Sequence, residues 1–203
     1  MHYHAEVWVS KPRALFGSSF KESTDRAVEI AMAPHQENED GDGWWDWYQI
    51  GGRYTGRHDP SYDPSGDPAN IEKCPTCNGT GFRTDKGGKE ERVKDPTYTC
   101  NACGDFILDE NKKIVGWKHG PAGAGKRAKW PTSWVPFAGD VMEVRDIPEL
   151  LSCYTLVVKG QVEQERVWNG EDFVATDFDG LVVPKLKELG ITDGYLVTVD
   201  YHS

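Results

Sequence analysis

Tyr195-Leu196-Val197-Thr198-Val199-Asp200-Tyr201-His202 places Tyr195, Val197, Val199 and Tyr201 on one face of an extended segment. That period of two is the signature of a strand with a buried side. Residues 3–9 repeat it, with Tyr3, Ala5, Val7 and Val9 alternating with His4, Glu6 and Trp8. Between these segments the pattern changes to helical spacing. Ser19 with Glu22 three residues on reads as a capping box, and Ala27, Val28, Ala31 and Met32 then share a face until Pro34 stops the run. A helix over about 20–33 follows from this, and residues 35–43, HQENEDGDG, read as a solvated acidic loop.

Toward the C-terminus, Tyr154, Leu156 and Val158 alternate, and Lys159-Gly160-Gln161 turns the chain into a second strand over Val162 to Trp168. Asp179 precedes a short helix at 181–189, in which Val182, Leu186 and Leu189 share a face, Pro184 sits in the first turns and Gly190 ends it. With residues 44–50 as a further strand, the order is β-α-β-β-α-β, the ferredoxin-like α+β sandwich. In that fold the first and last strands lie antiparallel, with their odd positions facing the helices. His2, His4, Glu6, Asp200 and His202 then share the open face at one end of the sheet. Three imidazoles among carboxylates suit a second metal or acid–base chemistry; the alternative is chain ends frayed in water.

The chain has 203 residues, 23 basic and 33 acidic, for a net charge of -10. The charge is unevenly spread. Residues 1–72 sum to -7, residues 73–130 to +5 and residues 131–203 to -8. Leu, Ile, Val and Phe number 9, 7 and 24 in the same blocks, so the middle block cannot build a core alone. We therefore expect a body formed by 1–72 and 131–203 with an insertion at 73–130. No run of 18 apolar residues is present, and the start MHYHAEVWVSKPR lacks an apolar segment behind a basic one. The expectation is a cytoplasmic protein with neither membrane span nor secretory signal. The bulk charge also argues against indiscriminate nucleic-acid coating.

What staples the insertion is legible. Cys74-Pro-Thr-Cys77-Asn-Gly-Thr-Gly81 is followed by Cys100-Asn-Ala-Cys103-Gly104. Each C-x-x-C presents two thiolates from a tight turn, and four thiolates select Zn²⁺, at about 2.3 Å per bond. A closed Cys₄ set is structural, giving a zinc-ribbon-like module. Cys153 stands apart and reads as a buried small hydrophobe. The first knuckle, CPTCNGTG, resembles the C-x-x-C-x-G-x-G repeats of the DnaJ cysteine-rich region, which implies zinc binding.

Gly120-Pro-Ala-Gly-Ala-Gly125-Lys126-Arg127 satisfies G-x-x-x-x-G-K, but Arg127 stands where a phosphate loop has Ser or Thr. It reads as a flexible basic loop. Lys112, Lys113, Lys118, Lys126, Arg127 and Lys129, interleaved with Trp117 and Trp130, are candidate contacts for a phosphate backbone or an acidic protein surface.

The string Trp44-Trp45-Asp46-Trp47-Tyr48-Gln49-Ile50-Gly51-Gly52-Arg53-Tyr54-Thr55-Gly56 admits two readings. One is a core strand whose Gly-Gly permits close backbone packing. The other is a cradle for a small anionic ligand: Gly51 and Gly52 amides and Arg53 hold the anion while Trp45, Trp47 and Tyr48 stack a planar group. The W-D-W-Y-x-I-G-G-R-Y-x-G string, with the terminal Asp200-Tyr201-His202, resembles a signature of uncharacterised bacteriophage and bacterial proteins. That resemblance implies a phage-type accessory protein in the host cytoplasm. Two functions follow as expectations. The first is binding of a host protein or nucleic acid through the zinc module, without catalysis. The second is binding or hydrolysis of a nucleotide-derived ligand by the Trp/Gly-Gly-Arg segment with His2, His4, Asp200 and His202.

Overall fold

The computed structural model describes residues 1–11, 19–41, 43–135 and 138–203, so Asp42 of the acidic loop lies outside the described residues. In chain order the elements are β1 (His2–Val9), α1 (Phe20–Met32), β2 (Trp47–Ile50), β3 (Ile71–Lys73), α2 (Lys86–Lys94), β4 (Gly104–Leu108), β5 (Ile114–His119) and β6 (Lys126–Ala128). They continue with β7 (Val141–Glu143), β8 (Thr155–Val158), β9 (Gln161–Gln164), β10 (Arg166–Trp168), β11 (Phe173–Ala175), α3 (Val182–Glu188) and β12 (Tyr195–His202). These divide into two compact units, Met1–Tyr62 with Pro131–Ser203, and Asp63–Trp130.

The first unit is a mixed α and β structure built on one sheet in the order β2-β12-β1-β8-β9, with β7 also paired to β12. Local chemistry starts and stops its elements as expected. Ser19 caps α1, its side chain accepting from the Glu22 N–H while the Glu22 carboxylate accepts from the Ser19 N–H. Lys159 and Gly160, both at positive φ, turn β8 into β9. The second strand of that hairpin is shorter than Val162 to Trp168, because residues 166–168 leave the sheet to pair with 173–175. β1 and β12 are antiparallel in the register His2↔His202, His4↔Asp200, Glu6↔Thr198, and β1 runs parallel to β8.

The ferredoxin-like arrangement is corrected at two points. β2 pairs the outer edge of β12, with Tyr48 opposite Tyr201, and the place beside β8 goes to β9. A tight two-residue turn closes the β8–β9 pair locally, so no distant strand need supply that partner. The second correction concerns the faces. α1 packs on the odd positions, burying Val28 and Met32 with Ala5, Val7, Val157, Val197 and Val199. α3 covers the opposite face, where Val182 and Leu186 bury Leu156, Val158 and Leu196. Both faces of β8 are apolar, so each requires its own cover.

The second unit has little aliphatic core. Its buried cluster is Cys74, Cys77, Cys100 and Cys103, with Ala102 against it. β3 pairs β6 and β4 pairs β5 in separate two-stranded ribbons. The pairing of Ile71 and Glu72 with Ala128 and Arg127 places the boundary of this unit earlier than residue 73. Its charge changes accordingly. Asp63, Asp67 and Glu72 join it, and residues 63–130 carry 12 basic and 10 acidic side chains, a net +2 instead of +5.

Candidate functional site

The four knuckle cysteines converge. Their sulfurs all lie within 4.8 Å of one another, and among the described residues they are the one group of three or more candidate ligands so gathered. Cys74 Sγ lies 3.9 Å from Cys100 Sγ, and Cys77 Sγ 3.7 Å from Cys103 Sγ. A tetrahedral ion with bonds of about 2.3 Å separates its thiolates by about 3.8 Å, so the spacing fits such an ion. All four side chains are buried. The turns that aim them are local: Gly79 N–H donates to the Cys74 carbonyl, Thr80 N–H to the Cys77 carbonyl, and Gly104 N–H to the Cys100 carbonyl. Burial works against the Cys77 thiolate, but amides of Gly81 and Gly79 and the Cys103 and Cys74 thiols outweigh it and lower its pKa to about 7. Burial pushes the Cys103 thiol the other way. The deprotonation that a metal ion needs is thus eased at one position.

The Gly120–Arg127 loop serves this centre. Gly120 N–H donates to the Cys103 carbonyl, and the Gly125 carbonyl accepts from Cys74 N–H. A Cβ on Gly125 would meet the Gly79 carbonyl oxygen at 2.1 Å. A strand, β6, begins at Lys126 where a phosphate loop would open a helix. The glycines thus permit close packing of backbone on the knuckles. Of the six expected macromolecule contacts, Arg127 pairs with Glu72 at 2.8 Å and Lys129 donates to the Ala69 carbonyl. Lys126 is exposed, and Lys112, Lys113 and Lys118 lie exposed on the β4–β5 hairpin. Trp117 of β5 packs edge-on against Tyr98.

The Trp/Gly-Gly-Arg set is divided between the two faces of the sheet. Trp45 is buried in the α1-side core, its Nε1–H donating to the Met32 carbonyl, and Tyr48 packs against it. Regular alternation begins only at Trp47, which points to the other face beside His2. Gly51 and Gly52 then fold the chain over that second face. The anion their segment meets is internal: Arg53 N–H donates to Asp200 Oδ2 at 3.1 Å and Gly56 N–H to Asp140 Oδ1 at 2.7 Å. Asp200 and Asp140 are both fully buried. A stacked-ligand cradle is therefore not assembled, and the Arg53 side chain is exposed.

The even face holds the polar cluster that the register predicts, extended by a residue not foreseen. Glu6, fully buried, accepts from Thr198 Oγ1 and lies 2.8 Å from His4 Nε2 and 3.1 Å from His58 Nε2. Burial alone would raise the Glu6 carboxyl, but hydrogen bonds and charge from His4 and His58 outweigh it and bring its pKa down to about 2. Tyr54 lies over His4, with ring centroids 4.9 Å apart. Cys153 is buried nearby, and burial together with the Glu6 charge raises its thiol well above the ordinary value. It is unsuited to act as a nucleophile. His2, His4, Asp200 and His202 do not converge on one point: His4 turns inward to Glu6, His2 Nδ1 bonds Asp200 at 2.9 Å, and His202 Nδ1 bonds Asp46 at 2.9 Å.

Gly52 tests this packing. It adopts φ 55, and a Cβ there would lie 2.6 Å from Asp200 Oδ2 and Asp200 Cβ. Gly52→Ala is expected to cost roughly 1–3 kcal/mol. A midpoint unchanged in urea unfolding would refute the close approach.

No helix of the described residues is long and apolar enough to cross a membrane. Comparison with protein-family models, with curated proteins and with solved structures returns no match.

Proposed function

We propose that the protein is a zinc-stapled binding protein whose β4–β5 ribbon engages a partner macromolecule, and that its closed cysteine cluster is structural rather than catalytic. Zinc is favoured because four thiolates with no open position suit a soft, tetrahedral, redox-inert ion. One zinc per chain at the four cysteines is expected, and iron in its place would overturn the assignment.

The observation that carries the reading is the ribbon itself. Phe106, Ile107, Leu108, Ile114 and Val115 are 44–62% exposed on a two-stranded element next to the metal centre. Exposed apolar side chains at this density mark interaction surfaces. Lys112, Lys113 and Lys118 flank them, but Asp105, Asp109 and Glu110 balance those charges. A Cys₄–zinc centre contributes -2, cancelling the +2 of residues 63–130. Phosphate-backbone binding depends on net positive charge, so the balance favours a protein partner over nucleic acid. The phage-type signature makes a host protein the natural candidate, and the cytoplasm the natural setting.

Ile107→Asp with Val115→Asp is expected to abolish capture of a partner from host lysate while the cysteine-bound zinc is retained. Neutralising Lys126, Arg127 and Lys129 is expected to leave capture intact. The reverse pattern would move the contact to the glycine loop, and capture insensitive to both would remove the module from the function.

A further inference from the structure

We infer that His2 and His202 form a second metal site, separate from the cysteines, for a divalent late-transition ion such as Zn²⁺, Ni²⁺ or Cu²⁺. The two residues are direct partners across β1 and β12. Because both strands continue to the sheet's end there, the imidazoles stand side by side on the even face, with ring centroids 5.5 Å apart and planes inclined at 71°. Each ring is held the same way. Asp200 Oδ1 accepts from His2 Nδ1 at 2.9 Å, and Asp46 accepts from His202 Nδ1 at 2.9 and 3.0 Å. Among the described residues neither ring makes another hydrogen bond, so both Nε2 atoms remain for an outside ligand.

A carboxylate on Nδ1 selects the tautomer whose Nε2 carries the lone pair, raises its basicity and locks the ring. Metal-ligating histidines are oriented in this way. The spacing is also suitable. Two imidazoles binding one ion at about 2.1 Å, with ligand–metal–ligand angles of roughly 90–120°, put their centroids about 4.6–5.6 Å apart. Asp46 and Asp200 supply negative charge beside the rings, which favours a cation over an anionic ligand. His2 and His202 are only part-buried, with side chains 23% and 42% exposed, so an ion reaches them from solvent, and water fills its other positions. His4 takes no part, since its Nε2 is committed to Glu6.

The test is titration of Ni²⁺ into the protein carrying its cysteine-bound metal, followed by calorimetry and electronic absorption. One further ion per chain is expected, without thiolate-to-nickel charge-transfer absorption. His2→Ala and His202→Ala should each remove it at concentrations that saturate the wild type, Asp46→Asn should weaken it 10- to 100-fold, and His119→Ala should leave it unchanged. Circular dichroism checks that each variant folds; both histidines lie at a strand end and are part-buried. Absence of a further ion, its retention in both His2→Ala and His202→Ala, or a charge-transfer band showing exchange at the cysteines would overturn the site.

Discussion

Cys100→Ser is expected to unfold residues 63–130. That unit buries four cysteines in place of an aliphatic cluster, and its large apolar side chains, Val93 at 85% exposed among them, stay at the surface. Its two ribbons have two strands each, an arrangement that is marginal without further support. The metal ion proposed for the four thiolates would supply the deficit, since structural zinc contributes about 10–16 kcal/mol near neutral pH. Losing one of four ligands leaves an open, weakened site and removes a large part of that stabilisation. Amide spectra should show resonances of Tyr98, Thr99 and the β4–β5 ribbon collapsing to random-coil positions in the variant, and in the wild type after chelation. Native dispersion for these residues in Cys100→Ser would mean that the metal is not what holds the unit together.

The second large effect centres on Glu6. Its carboxylate is fully buried and balanced by His4, His58 and Thr198, so removing it strands two buried imidazoles and a hydroxyl. Glu6→Ala is expected to cost about 3–5 kcal/mol. The pH dependence has a defined sign. The folded-state pKa, about 2, lies below the ordinary 4.5, so the ionised carboxylate stabilises the fold above pH 4.5. That contribution is lost as the pH falls from about 4.5 towards 2, and it amounts to roughly 3 kcal/mol. Urea unfolding at several pH values should show wild-type stability falling through this window and Glu6→Gln largely lacking that component. Equal slopes for the two proteins would show that Glu6 is not the group responsible.

These two sites differ in how far the sequence reveals them. The knuckles are local: two C-x-x-C turns with following glycines fix the direction of each sulfur within a few residues, and four thiolates leave little choice of chemistry. The even face was legible in part. Alternation in β1 and β12 places His2, His4, Glu6, Asp200 and His202 together once the strands are antiparallel. His58 and Asp140 carry no such signal, because they reach this face through irregular chain after Gly52 and before β7. The position of α3 did leave a trace. Leu156, Val158 and Leu196 are apolar at even positions, which demands cover on that face, whereas attention to the odd positions alone puts both helices on one side.

By itself the sequence determined the strands near 3–9, 154–158 and 195–202, the helices near 20–33 and 181–189, where Ser19 and Gly190 bound them, and that four cysteines form one set. The elements, and each C-x-x-C turn, rest on interactions within a few residues of each position. The tertiary structure alone decided which edge of β12 receives β2, which face receives α3, and that the Gly51–Arg53 amides serve the protein's own Asp200. Backbone edges are chemically alike along a strand, so their pairing is settled by which distant surfaces need burial. The internal carboxylates that claim the glycine turn come within reach only when residues 52 and 200, far apart in the chain, are brought together by the sheet.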